Sequence, residues 1–181
     1  DVQLEEVVVT ARRRTELDQE VPIATSVFNQ TTIQRAGIER PDDFINLTSN
    51  VSIVDTANAG DTQVNIRGIT STRDAEGTFA FVVDGVLITN PNGFNQELFD
   101  IESIEVLKGP QGALYGRNAV SGAILVNTVE PSDAIESSIR IGGGTDGLQK
   151  IGLSVSGPLS DSLRGSLSVM TREDDGQQKN D

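Results

Sequence analysis

The side chains in this chain that can do chemistry are carboxylates and guanidiniums. Among its 181 residues there is no histidine and no cysteine. That removes Ser-His and Cys-His nucleophilic sites and the usual zinc ligand sets. Acids cluster at Asp42 and Asp43, at Asp100 and Glu102, and at Glu173, Asp174 and Asp175. Two facing carboxylates can hydrolyse a glycosidic bond. Here they fall at a helix start, a strand entry and a loop, which are ordinary solvated places. The run from Gly142 to Gly147 fits G-x-G-x-x-G. A dinucleotide site needs a helix next, to aim N–H groups at phosphate, and a period-two strand follows instead. The run from Gly109 to Gly116 lacks the Lys-Ser/Thr of a phosphate-binding loop. Arg67 and Arg117 remain. A guanidinium fork suits two-pronged pairing with carboxylates in a wet, semi-buried interface. The plain alternative is a solvated surface arginine, which contributes little. No catalytic site, metal or cofactor is expected.

The elements that position these residues are short. Ile104 and Val106 alternate with Glu105 in a half-buried strand pattern. Gly109-Pro110 stops that strand, because Pro has no N–H and Gly tolerates positive φ. One helical turn, Gln111 to Tyr115, is closed by Gly116. Arg117, Asn118 and Gly122 cross a short link, and Ala123 to Val126 is a second strand, ending in Asn127-Thr128.

Upstream, Val21 to Phe28 reads as a strand. Asn29 can cap a helix running through Ile33 to Ala36, and Gly37 ends it. Pro41 to Leu47 is a second short helix, with Pro in its first turn and two acids near its positive end. Val51 to Val54 and Gln63 to Ile69 are strand patterns. Phe79 to Ile88 is a hairpin, with Asp84-Gly85 as a two-residue type I′ turn. Its strands run antiparallel, so the loops Thr70–Thr78 and Thr89–Asn95 lie at one end of the sheet.

After Pro131 the pattern changes. Ile139 and Ile141, then Ile151, Leu153 and Val155, then Leu163, Leu167 and Val169 alternate with Ser, Gly, Arg and Lys. Turns are expected at Thr145–Gly147 and Gly157–Asp161. Segments of about ten residues with this alternation fit membrane-spanning barrel strands. The alternative is an antiparallel meander on a soluble core.

The ordered series from Glu102 to Thr128 (strand, Gly-Pro corner, single helical turn, glycine-rich link, strand) resembles the end of the plug domain of TonB-dependent outer-membrane transporters. The fold implied is α+β. It is a plug with a small mixed β-sheet and short helices, followed by the first antiparallel strands of a transmembrane β-barrel. Three parts are expected: a tail over 1–20, the plug over 21–131 and the start of the barrel over 132–181. Three strands cannot close a barrel, and their edges cannot stay unpaired in lipid. The chain is therefore expected to be a fragment.

The resemblance also implies roles. Glu6, Val7, Val8, Val9 and Thr10 look like the TonB box, the strand that the C-terminal domain of TonB adds to its own sheet. The alternative is a charged tail or an edge strand. Arg67 and Arg117 resemble plug arginines that pair with carboxylates on the inner wall of the barrel, a wall of about 22 strands. The outer loops 55–61, 70–78 and 89–95 would face arriving small-molecule substrate. Asn58, Arg73, Asp74, Asn92 and Asn95 suit hydrogen bonding there, and Phe94 suits stacking on a sugar or an aromatic chelator. The location implied is the outer membrane, with the plug inside the barrel lumen, the barrel against lipid and the N-terminus periplasmic. The function implied is active uptake of a siderophore, cobalamin or saccharide, without catalysis. A soluble envelope module that binds a ligand is the rival reading.

Composition agrees with this class. Aromatic content is 4% with no Trp, thin for a large packed core. The net charge of −13 repels nucleic acid and anionic lipid surfaces. No apolar stretch reaches the roughly 18 residues that a membrane-spanning helix needs. Asp1 is not followed by a signal-peptide pattern, so any export signal is expected to have been removed or to lie outside this sequence.

Overall fold

The computed structural model describes residues 8–9, 16–17, 24–55, 62–70, 77–145 and 147–175; for residues 8, 9, 16, 17, 55, 91 and 92 it describes the backbone alone. The elements are, in order, β1 (Val8–Val9), β2 (Glu16–Leu17), β3 (Ala24–Asn29), α1 (Gln30–Ala36), α2 (Pro41–Asn46), β4 (Val51–Asp55), β5 (Thr62–Ile66) and β6 (Ile69–Thr70). Then come β7 (Phe79–Val83), β8 (Val86–Ile88), a 3₁₀ turn (Pro91–Asn95), β9 (Ile101–Lys108), α3 (Gly112–Tyr115) and β10 (Gly122–Thr128). Three long strands follow: β11 (Glu136–Gly143), β12 (Gln149–Ser160) and β13 (Leu163–Glu173). The chain divides into two compact units, 1–128 and 129–181.

Local chemistry explains the helices of the first unit. The Asn29 side chain accepts the Thr32 N–H at 2.8 Å, and Gly37 takes the left-handed conformation (φ 64°) that ends α1. The Asp43 carboxylate accepts the N–H groups of Arg40 at 2.8 Å and Glu39 at 2.9 Å, with Pro41 opening α2. Phe44 and Ile45 thereby point inward and are fully buried. Each such side chain contributes about 2–3 kcal/mol.

These helices cover one face of a five-stranded mixed sheet in the order β3-β9-β10-β7-β8. The β7 and β10 strands run parallel, and every other neighbouring pair is antiparallel. Phe28, Ile104, Val106, Ile124, Val126 and Phe81 line the covered face, with Val64 and Ile66 of the small β4-β5-β6 sheet joining the same core. Ala80, Val82, Leu107, Ala123 and Leu125 line the other face, packed with Ala119 and Tyr115. The β9 strand is thus covered on both sides. Glu105 was expected at a half-exposed position and is instead 1% exposed, beside Leu125 and Val27 in register. Gly122 is required where β10 starts, because a Cβ there would overlap the Leu107 carbonyl oxygen.

The second unit is a three-stranded antiparallel sheet, β11-β12-β13. Its register places Ile139 beside Leu153 and Val169, Ile141 beside Ile151, and Val155 beside Leu167. The alternate positions carry Ser138, Arg140, Lys150, Ser154, Ser166 and Ser168, and the Ser138 and Ser154 hydroxyls meet at 2.8 Å. The apolar face is open, with side chains from 45% (Val155) to 81% (Ile141) exposed. The expected turn at Gly157–Asp161 is corrected. Strand β12 continues to Ser160, and Pro158 sits beside a register shift, where a missing N–H is tolerated.

An open apolar sheet face drives association in water. The whole chain is expected to self-associate or require detergent, and a chain ending near Pro131 to remain monomeric. Light scattering after size-exclusion chromatography checks this. A monomeric whole chain, with a less stable truncated one, would show that this face is covered as part of a soluble core.

Candidate functional site

The hairpin forms as its turn chemistry requires. Asp84 (φ 47°) and Gly85 (φ 78°) are both left-handed, and Val83 pairs with Val86. The Asp84 carboxylate also reaches across to β10. It accepts the Thr128 N–H at 2.8 Å and the Thr128 hydroxyl at 2.9 Å. This clamps the turn of the hairpin to the last residue of the first unit. At the opposite end, β7 begins and β8 finishes, so the segments on either side of the hairpin leave the sheet together.

Arg67 lies in a second tight hairpin, which corrects the expectation of one strand from Gln63 to Ile69. Arg67 (φ 53°) and Gly68 (φ 84°) form the turn, and Ile66 pairs with Ile69. Three hydrogen bonds support the turn. The Arg67 N–H donates to the Asn50 carbonyl, the Gly68 N–H to the Asn65 side-chain oxygen, and the Asn65 amide to the Thr70 hydroxyl, all at 2.8–2.9 Å. The guanidinium then reaches the Gly109-Pro110 corner, with Nη1 3.3 Å from where a Cβ on Gly109 would stand. Gly109 itself has φ 121°. Only glycine serves both needs. The corner and its return are laddered by Gly109 N–H to the Ser121 carbonyl and Gln111 N–H to the Ala119 carbonyl. Arg117 is exposed at the far end of that loop, just after α3.

A family model described as the TonB-dependent receptor plug domain matches residues 18–123, more than half of the chain. The chain belongs to this family. The pesticin receptor of Yersinia pestis is 29% identical over 160 residues, covering 87% of this chain and 24% of its own length. The vitamin B12 transporter BtuB of Vibrio vulnificus is 33% identical over 145 residues, covering 77% of this chain and 23% of the transporter. The chain thus spans about a quarter of the length of the curated relatives it matches. Among solved structures, the ferric yersiniabactin uptake receptor FyuA of Yersinia pestis superposes with a TM-score of 0.75 at 27% identity, over 82% of this chain and 24% of that one. The alcaligin outer-membrane receptor FauA of Bordetella pertussis shares the fold, with a TM-score of 0.76 at 18% identity over 93% of this chain and 29% of that one. The relatives are receptors and transporters of the outer membrane.

The plug fold distributes the expected site residues unevenly. Glu6, Val7, Thr10, Asn58, Arg73 and Asp74 lie outside the described residues. Val8 and Val9 form β1, paired with β2. Asn92, Phe94 and Asn95 belong to the 3₁₀ turn after β8, on the loop that leaves with the hairpin. Phe94 is a correction. It was expected to offer its ring to a ligand, but it is 4% exposed. Its ring meets Phe79 at 5.3 Å and Phe81 at 5.1 Å, both edge to face. Phe94 therefore anchors the loop in the core. Asn95 is half-buried and already engaged in an interaction.

Two charged side chains are buried among the described residues without any signal in the sequence. Lys108 is 7% exposed and donates to the Ser26 hydroxyl at 3.0 Å, with the Ser49 hydroxyl and carbonyl at 3.5 Å. It ties β9 to the edge strand β3 and to the loop after α2. Glu105 is the other. Period two puts Glu105 on the face opposite Ile104 and Val106, which reads as half-exposed, whereas Lys108 falls on the face of Ile104 and Val106, where a lysine breaks the apolar pattern.

Proposed function

We propose that this chain is the plug and first wall strands of a receptor that takes up a scarce metal chelate or similar small nutrient across the outer membrane, driven by TonB. One observation carries the reading: a single chain holds a plug-family domain followed by an antiparallel sheet whose apolar side chains share one open face. A lipid-facing barrel wall needs such a face, and a plug needs a barrel to close. The relatives are named for pesticin, vitamin B12 and ferric yersiniabactin, which favours siderophores and cobalamin over saccharides as the substrate class.

In this reading the plug sits in the barrel lumen with its N-terminus in the periplasm. Loops 55–61, 70–78 and 89–95 face outward, and Asn58, Arg73, Asp74, Asn92 and Asn95 contact substrate by hydrogen bonds. Arg67, at the Gly109-Pro110 corner, and Arg117, at the far end of the loop that follows it, pair with barrel carboxylates, where a two-pronged fork holds the plug yet can be released. Residues 6–10 are the coupling segment that TonB takes up as an added strand. No substrate bond is broken.

The test is made in cells expressing the intact receptor. Deleting TonB is expected to leave binding of the ferric siderophore or cobalamin unchanged and to reduce its accumulation to background. Accumulation that persists without TonB would overturn the reading.

A further inference from the structure

We propose that the β12–β13 turn end of the second unit is a headgroup site for a zwitterionic membrane phospholipid, with Arg164 on the phosphate, Asp133 on the amine, and Leu159 and Leu163 against the acyl chains. This rests on the reading of β11–β13 as lipid-facing wall strands. An open cavity of about 450 Å³ lies there, and its lining includes Asp133, Leu159, Ser160, Asp161, Leu163 and Arg164. That is the size of a small-molecule cleft. Two glycines in register, Gly157 and Gly165, shape its surroundings. The entering chain rests on the first. A Cβ on Gly157 would stand 3.1 Å from the Ile135 Cα and 3.3 Å from the Ala134 carbonyl oxygen. This close fit brings Asp133 to Arg164, whose Nη1 meets the carboxylate at 3.0 Å. Leu159 rests on the second glycine, its Cδ1 2.9 Å from where a Cβ on Gly165 would stand. Gly165 shares a face with Leu167 and Val169 by alternation, so Leu159 lies on the apolar face.

One end of the apolar face thus meets a base and an acid in a single cavity. Leu159 and Leu163 are both largely exposed there. The ion pair itself adds little stability, because the Arg164 and Asp133 side chains are 55% and 91% exposed. Its contact uses Nη1, and a guanidinium carries further donors in a fixed fork that suits phosphate oxygens. Asp133 supplies a carboxylate for an ammonium group. A phosphoethanolamine headgroup carries both charges side by side, and its chains continue onto the apolar face. Inorganic phosphate matches Arg164 alone. An anionic headgroup without an amine sets its charge against Asp133.

The test titrates the intact receptor in detergent with short-chain phosphatidylethanolamine and reads bound lipid by native mass spectrometry. Arg164→Gln is expected to weaken binding about tenfold. Arg164→Lys keeps the charge without the fork and is expected to fall between. Asp133→Asn is expected to erase the preference for phosphatidylethanolamine over phosphatidylglycerol of equal chain length. Arg140→Gln, on the same sheet and outside the cavity lining, is expected to change neither. Melting in lipid-free detergent shows that each variant is folded, and Arg164→Lys carries the comparison if Arg164→Gln is not. Equal affinity of the Arg164 variants and the unaltered receptor overturns the site. A preference for phosphatidylglycerol overturns it too, as does displacement of the lipid by equimolar inorganic phosphate, which marks a bare anion site. Each of these results leaves the proposed function standing. An intact receptor that stays monomeric without detergent removes the lipid-facing wall itself, and the proposed function fails with it.

Discussion

Val8→Pro in the intact receptor is expected to reduce uptake to background while substrate affinity at the cell surface stays unchanged. The reason lies in how a strand is recruited. Main-chain N–H and C=O groups supply the affinity of strand addition, and side chains matter less. Proline removes one N–H from a strand of two described residues and restricts the residue before it. Whichever edge that N–H serves, the loss counts. Facing TonB it would remove a bond to the added strand, and facing β2 it would break the pairing with Leu17. Val8→Ala keeps the N–H and is expected to lose far less. The loops 70–78 and 89–95 proposed to meet substrate join the β7-β8 hairpin and are remote from β1 in the chain, so binding there is not expected to require β1. Measured side by side, surface binding and energised accumulation of the same labelled chelate decide this. Full accumulation by Val8→Pro would remove residues 6–10 from the coupling role.

Phe94→Ala is expected to destabilise the plug by about 4 kcal/mol, the usual cost of emptying a buried aromatic site. The ring is 4% exposed and makes edge-to-face contacts with Phe79 and Phe81. A cavity would open between the 3₁₀ turn and the start of β7, and the loop carrying Asn92 would lose its anchor. Phe94→Leu fills most of the volume and is expected to cost about 1–2 kcal/mol. Arg73→Ala and Asn92→Ala are expected to behave differently, lowering substrate affinity with the melting temperature unchanged. Thermal unfolding of the detergent-solubilised chain, set beside equilibrium substrate affinity, separates the two kinds of residue. A Phe94→Ala chain that melts like the unaltered one would return the ring to the ligand.

Local order was legible because a few consecutive residues carry it. Asn29 with Thr32, and Gly37 with its positive φ, bound α1 whatever lies elsewhere in the chain. Asp84-Gly85 makes a type I′ turn because both residues tolerate left-handed backbone. The Gly109-Pro110 corner and the period-two strands after Pro131 follow for the same reason, and together they were enough to mark the family.

Only the tertiary structure decided the rest. Arg67-Gly68 is a tight turn inside an alternating run, and arginine at positive φ carries no turn signature; the hydrogen bonds that its N–H groups donate to the Asn50 carbonyl and the Asn65 side chain hold it there. Glu105 alternates like a surface residue, yet β9 is central and covered on both faces, so period two does not mean one wet side. Phe94 stands among polar loop residues, and its burial depends on two phenylalanines from β7. Lys108 finds Ser26 across 82 residues of sequence. Turns and caps depend on backbone angles within a few residues. Burial and sheet order depend on which distant segments come together, and local patterns carry no information about that choice.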